Sequence, residues 1–463
     1  MARIHWGSKL GFILATAGSA VGLGNIWRFP YLVGENGGGS FLLMYFLCVF
    51  GLGYFLMLAK LAFGRTAQTN IIDGFSVVAE KNKKQISAWW GRVWGMAAMI
   101  NVLFVSGVYV VVIGWTLAYV IFGVGQFFEG ANTIDSGVFE RLTGSFEQQL
   151  FWGIMCIFMT TAILVKGVKK GIEQASLILM PFLFLLLVFM AIWIYFLPNA
   201  EQGIAFLLTP NWEAFGFTQN GFNIKSFADL FLKAMGQALY SLSMGLGVVF
   251  VYGSYLSDKT DLKTSAKWIV GLDTFVAVMA GMIVLPAVFA FGLQPTQGPA
   301  LSFVSLPLVF AQMTGGKVFM LMFFVLLFVA ALTSLISIYE AAVSLMIDKL
   351  RVSRIKATVL MALVNTMITA VILASFTKKV DWHIRGQDLF SALDTLTGSY
   401  TMSMVVLMAT LFMGWGVSTV VVRNMDRGAD KPLSKFFKRY IRFTLRFTAP
   451  IILIVLFFVA IFN

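Results

Sequence analysis

From residue 11 onward the sequence returns repeatedly to apolar runs of about 20 residues, the length that carries a helix across ~30 Å of hydrocarbon. They fall near 11–33, 40–63, 94–124, 150–166, 174–197, 229–253, 267–293, 317–347, 357–376, 388–420 and 440–462. These eleven spans leave no stretch for a sizeable soluble domain. With 59% of residues hydrophobic and 12% charged, the chain has more apolar surface than a water-soluble core of this size could hide. The expected fold class is an all-α polytopic membrane protein with about 11 transmembrane helices, one transmembrane domain over 1–463. Runs longer than the bilayer is thick must tilt or project into water.

A net charge of +13 could suggest nucleic acid, so the placement of the cations decides its meaning. Alternate connections carry Arg65, Lys81, Lys83, Lys84 and Arg92; Lys166, Lys169 and Lys170; Lys259, Lys263 and Lys267; Lys349, Arg351, Arg354 and Lys356; and a group from Arg423 to Arg446. The intervening loops hold acids such as Glu129, Asp135, Glu140, Glu201 and Glu213, or almost no charge, as in 294–316. That alternation is an orientation signal, and nucleic acid is not an expected partner. It predicts a cytoplasmic N-terminus and, after an odd number of spans, an extracytoplasmic C-terminus in a bacterial inner membrane. The first apolar run continues into FPYLVGENGGGSF rather than a small-residue cleavage site, so it reads as a retained span. Cys48 and Cys156 both sit in apolar runs, where a thiol is a small hydrophobe, and no disulfide is expected. His5 and His383 are far apart, and no phosphate loop or activated nucleophile is present, so an enzyme is not expected.

Two of the spans are interrupted. Residues 18–30, GSAVGLGNIWRFP, place glycines, an asparagine and an arginine inside a hydrophobic segment. Residues 239–252, LYSLSMGLGVVFVY, repeat the pattern with Ser241, Ser243, Gly245 and Gly247. Either set of glycines alone also suits close helix packing. Breaks that open two successive five-span sets instead predict a 5+5 inverted repeat, 1–197 and 229–420, with 440–462 as an extra C-terminal helix. The binding site then falls between the breaks, where loose carbonyls suit a cation and free amide ends suit a carboxylate.

The string GSAVGLGNIWRFPYLVGENGGGSF resembles the first-span signature of the neurotransmitter:sodium symporters, and the likeness runs over nearly the whole chain. Length and span number place it in the bacterial amino-acid branch, nearest the multi-hydrophobic amino-acid transporters and more distantly the bacterial leucine transporter. In VAALTSLISIYE, residues 329–340, Thr333 and Ser334 taken alone are hydroxyls that bond back one helical turn. The resemblance instead implies that they join the carbonyls of Gly18, Val21 and Ala330 in a second sodium site, a neutral oxygen set suited to a hard monovalent ion. It implies a first sodium site from the Ala20 carbonyl, Asn25, Ser241 and the substrate's own carboxylate. Asp273 is the one acid in the apolar seventh span, and two family roles remain open for it: ligand of the first sodium, or fixed negative charge. A position at the membrane interface is its plainer reading. Relatives that need chloride hold it beside residues matching Tyr45, Gln237 and Ser241; a carboxylate here implies no chloride requirement.

Relatives that carry amines have an aspartate where this chain has Gly22. The resemblance therefore implies a substrate with its own carboxylate, held by Leu23, Gly24 and Tyr109, with its ammonium near Ala20, Tyr240 and Ser243. Val105, Tyr240, Leu246, Ser334 and Ile338 would form a largely apolar side-chain pocket, which implies hydrophobic and aromatic L-amino acids. Arg28 and Asp394 match the extracellular gate, with Tyr109 and Tyr240 as a lid. Arg3, Trp6, Ser254, Tyr255 and Asp348 match the cytoplasmic gate. Gly171 and Pro181, in GIEQASLILMP, match a spacing associated with local unwinding that admits water to the second sodium. The function implied is sodium symport by alternating access. A transporter of another small zwitterion, a channel, or a transport-silent amino-acid sensor are the alternatives.

Overall fold

The structure is a computed structural model and describes residues 5–81, 88–128, 137–219, 221–292, 301–384, 386–429 and 431–462. Arg3 and the basic residues Lys83 and Lys84 lie outside these, as do Glu129 and Asp135. Helices dominate; the strands among the described residues are two short antiparallel hairpins, Phe217–Thr218 with Gly221–Phe222 and His383–Ile384 with Gln387–Asp388.

Nine helices among the described residues are long and apolar enough to cross a membrane: Gly39–Ala67, Trp89–Gln126, Phe146–Leu164, Val168–Tyr195, Leu262–Ala290, Gly316–Leu350, Arg354–Phe376, Leu389–Gly416 and Lys435–Ala460. A bent pair, Lys9–Ala20 with Gly24–Glu35, makes a tenth, turning by 51° at its break. The expected sixth span does not register as one helix. It is cut into Ile224–Ser241 and Val248–Ser254, of 18 and 7 residues, by a non-helical turn over 242–247. Ser243 at φ 51° and Gly247 at φ 68° turn the chain there, a left-handed backbone that glycine adopts freely and serine does not.

Helix starts follow local chemistry. Ser8, Ser145, Asn223, Asp261 and Ser353 each accept a hydrogen bond from a backbone amide in the first turn of the helix that follows, which satisfies donors that have no partner within the helix.

Burial sorts the spans into an inside and an outside. In the most apolar window of each helix, 78% of Gly316–Leu350 and 67% of Gly39–Ala67 and Trp89–Gln126 is buried, against 28% of Val168–Tyr195 and 33% of Phe146–Leu164 and Arg354–Phe376. The peripheral helices turn Phe158, Ile178 and Leu185 outward, the side that lipid would cover. Both broken spans lie inside: every residue from Gly11 to Ile26 and from Ser241 to Tyr255 is buried.

Close approach holds the short helix Val248–Ser254 against the second span. A Cβ on Gly64 would lie 2.1 Å from the Phe250 carbonyl oxygen. Gly64→Ala is expected to destabilise the protein by about 2 kcal/mol through overpacking, read as a lower unfolding temperature in detergent. An unchanged melt would contradict this packing.

Candidate functional site

The break in the first span frees carbonyls that side chains from the eighth span and the broken sixth span reach. Ser334 Oγ donates to the Val21 carbonyl at 3.0 Å and the Gly18 carbonyl at 3.2 Å. Thr333 Oγ1 donates to the Ala330 carbonyl at 3.0 Å, and its Cβ sits 3.2 Å from where a Cβ on Gly18 would be. Gly18, Val21, Ala330, Thr333 and Ser334 thus bring five neutral oxygens to one locus. The two hydroxyls differ: Thr333 bonds back along its own helix, as an isolated threonine would, whereas Ser334 crosses to the unwound turn. Ser243 Oγ, from the sixth-span break, donates to the Ser19 carbonyl at 2.9 Å.

Deeper in the bundle a second cluster forms around Asn25. Its Oδ1 accepts the Gly22 amide at 3.1 Å, while Nδ2 donates to Ser241 Oγ at 2.8 Å, Asp273 Oδ1 at 2.8 Å and the Asp273 carbonyl at 3.0 Å. Ser241 Oγ lies 2.8 Å from Asp273 Oδ2. Asp273 is fully buried, so the interfacial reading of this acid is corrected: its helix begins at Leu262, and residue 273 lies well inside it. The carboxylate reaches both Asn25 and Ser241 in the same cluster. Gln237 Nε2 donates to the Gly24 carbonyl at 2.7 Å, and the buried Tyr45 hydroxyl lies by Ser241 and Asp273.

Between the clusters lies a chamber of about 120 Å³. Its wall contains Ala20, Leu23, Gly24, Val105, Tyr109, Tyr240, Ser241, Ser243, Leu246, Ser334 and Ile338, all of the residues expected to bind substrate. The Leu23 amide points at the Tyr109 hydroxyl, 3.5 Å away. Gly22 and the gate residue Asp394 also line the chamber. Ser19, Trp27, Val108, Val112, Phe390, Thr397, Gly398 and Met402 complete the wall. Sequence reasoning missed these. Most lie in the third and tenth spans, where an apolar residue looks like any other helix-packing residue.

The two ends of the chamber are closed differently. Arg28 and Asp394 form no ion pair within 4 Å; Arg28 Nη1 donates to Gln237 Oε1 at 3.3 Å and its guanidinium lies 4.8 Å from the centre of the Tyr240 ring. On that side the chamber shares Gly398 and Met402 with a cavity of about 1010 Å³ that Arg28 also lines. At the other end Trp6 Nε1 donates to the Tyr252 carbonyl at 3.1 Å, and its ring stands edge-on to Tyr252 and Tyr255. Ser254 Oγ bonds within its own helix, to the Val251 carbonyl, and Asp348 accepts the Asn70 amide at 3.0 Å. Arg3, expected here, lies outside the described residues.

Three further groups seal this end. Tyr255 donates to Glu340 Oε1 at 2.6 Å, and Arg354 pairs with Glu340 Oε2 at 2.5 Å. Glu173 accepts the Gly7 amide and the Ser8 hydroxyl, each at 2.7 Å. Both acids stood at the edges of singled-out strings, and an acid inside an apolar run was the available signal. Gly171 lies in the π-helical turn Val168–Glu173, where a Cβ would sit 2.1 Å from the Ile163 carbonyl oxygen. Pro181 lies inside the continuous helix Gln174–Tyr195, so the stretch is wound here. Met180 beside it packs against Gly18, its Sδ 3.0 Å from a Cβ placed there.

The family model for the sodium:neurotransmitter symporters matches residues 3–129 and 125–463. The chain belongs to this family. It is 33% identical over 461 residues to an uncharacterized sodium-dependent transporter of Bacillus subtilis, covering 98% of this chain and 97% of that protein. It is 31% identical over 463 residues to one of Haemophilus influenzae, again covering 98% and 97%. The crystal structure of MhsT in complex with L-phenylalanine superposes with a TM-score of 0.84 at 35% identity, covering 99% of this chain and 100% of that one. This member of the symporter family is a multi-pass, sodium-dependent membrane transporter and not an enzyme.

The Glu340–Arg354 pair is largely desolvated, with side chains 0% and 18% exposed. Arg354→Gln strands the acid and is expected to cost about 3–5 kcal/mol; adding Glu340→Gln should recover most of that. Thermal unfolding of the single and double variants checks the coupling, and additive losses would contradict it.

Proposed function

We propose that this symporter imports hydrophobic and aromatic L-amino acids with two sodium ions and no chloride. The observation that carries the reading is the chamber wall: Gly22 offers no carboxylate, the Leu23 amide meets the Tyr109 hydroxyl, and Val105, Val108, Val112, Leu246, Ile338 and Phe390 make most of the rest apolar, with Asp394 as an acid in the wall. Such a wall suits a substrate that brings its own carboxylate and an uncharged side chain. MhsT, similar over its whole length, was crystallised with L-phenylalanine, which supports the same class here.

The two sodium sites are the oxygen sets already described. One is Gly18, Val21, Ala330, Thr333 and Ser334; the other is Ala20, Asn25, Ser241 and Asp273, completed by the substrate carboxylate. A ligand shared between ion and substrate makes each raise the other's affinity, which is the basis of coupling. One charge crossing 100 mV is worth about 2.3 kcal/mol, roughly fifty-fold accumulation. Asp273 places a fixed negative charge beside Tyr45 and Ser241, so a halide there would be repelled.

Transport alternates access between repeats 1–197 and 229–420, with 440–462 outside them. Arg28, Asp394, Tyr109 and Tyr240 close the extracellular side; Arg3, Trp6, Ser254, Tyr255 and Asp348 close the cytoplasmic side, where the basic loops lie in a bacterial inner membrane. Exposed ion pairs are worth about 0–1 kcal/mol each, which suits contacts broken every cycle. Gly171 and Pro181 form the hinge through which cytoplasmic water reaches the second sodium.

Proteoliposomes with sodium outside should concentrate labelled L-phenylalanine, and replacing chloride by gluconate should leave the rate unchanged. Equal accumulation with potassium alone, or loss of uptake without chloride, would contradict the reading. Ser334→Ala should weaken sodium activation about tenfold, equivalent to about 1.4 kcal/mol. Pro181→Ala should slow turnover while equilibrium substrate binding stays unchanged; unaltered sodium-release kinetics would count against the hinge.

A further inference from the structure

Lys60 lies within the span Gly39–Ala67 and is buried. Among the described residues no carboxylate pairs with it. Its Nζ donates to the carbonyl of Met244, inside the unwound turn of the sixth span. The acids on the helices packed around it are engaged elsewhere: Asp273 with Asn25 and Ser241, Asp73 with Lys349 and Asn70. Tyr252 and Tyr255 donate to Ser337 and Glu340. On its own helix Arg65 is bound to Asn424 and Thr260; on neighbouring helices Lys81 reaches the Thr66 carbonyl, Lys263 reaches the Lys431 carbonyl, and Glu80, Lys267 and Arg423 are exposed.

An ammonium at this depth depends on its acceptor, because burial without one disfavours the charged form. That acceptor belongs to a turn held at three closely spaced points. Ser241 is tied to Asp273, Ser243 to the Ser19 carbonyl, and the Met244 carbonyl to Lys60. The first two points touch the cluster and the broken strand proposed above to receive sodium and substrate. The Met244 carbonyl belongs to the same short turn, next to Ser243 and three residues from Ser241.

We propose that Lys60 exchanges a proton as this turn moves, so that sodium binding is linked to proton release or uptake; the idea rests on the sodium sites of the proposed function. When the carbonyl withdraws, the ammonium passes one proton to water and becomes a neutral amine. When the carbonyl returns, the amine takes a proton back. No electron transfer or further reactant is involved.

The test uses the purified full chain in weakly buffered potassium medium with a pH-sensitive dye, between pH 6 and pH 9. Sodium chloride is the probe and potassium chloride its control, and tryptophan fluorescence reports sodium-induced rearrangement in the same samples. Wild-type protein should exchange up to about one proton per chain on sodium addition. Lys60→Met should lower this to less than a tenth while the fluorescence response persists. Lys60→Arg, which keeps charge and donors but holds its proton at every pH used, should do the same and decides the matter if Lys60→Met does not fold. A merely structural tether would leave proton exchange intact in Lys60→Arg, and that result overturns the proposal. A wild-type chain with a fluorescence response and no proton exchange overturns it too. No response of either kind refutes the sodium sites themselves, and the proton link with them. Phenylalanine is absent throughout, so an error in substrate class leaves the result unaffected.

Discussion

A peptide group that leaves the helical ladder inside a bilayer must find a partner or cost several kcal/mol, roughly. This chain leaves the ladder twice, and nearly every polar contact at its centre answers that constraint. Ser334 takes the Gly18 and Val21 carbonyls, Ser243 the Ser19 carbonyl, Gln237 the Gly24 carbonyl, and the Asn25 side chain the Gly22 amide. Each of these bonds joins elements distant in sequence or braces the turn itself. The groups that repair the breaks are the ones proposed to hold the ion and the carboxylate, so in that proposal the backbone defect and the binding site are one feature.

The arrangement also explains how the two ends of the chamber differ. The Trp6 end is closed by buried, mutually satisfied groups, among them the Glu340–Arg354 pair and the Glu173 clasp on Gly7 and Ser8. The Arg28 end carries a guanidinium resting over Tyr240, and Asp394 stands apart from it. This conformation is sealed toward the N-terminal segment, with a wide cavity on the opposite side.

Much of this was legible in the sequence because the informative signal is local. Glycines and hydroxyls inside apolar runs marked both breaks, and the residues around them line the chamber. Where the signal was not local, reading failed. Trp27, Phe390 and Met402 enter the wall only through helix packing. Glu340 finds Arg354 beyond the end of its helix, and Lys60 finds Met244 across a gap of 184 positions. For Asp273 the sequence left an interfacial position open beside a functional one, because the residue falls near the start of its apolar run, whereas its helix starts early enough to carry it inside. The sequence marked the break of the sixth span within 239–252 but not its geometry, because composition does not record where a left-handed residue such as Ser243 turns the chain.

The central claim is that the unwound turns hold an amino acid and sodium in mutual contact. Equilibrium binding of L-phenylalanine across a sodium titration, and of sodium across a phenylalanine titration, tests it most directly. The account predicts that each ligand tightens the other by the same factor, at least about tenfold, as reciprocity requires. Phenylalanine affinity that is indifferent to sodium would contradict it.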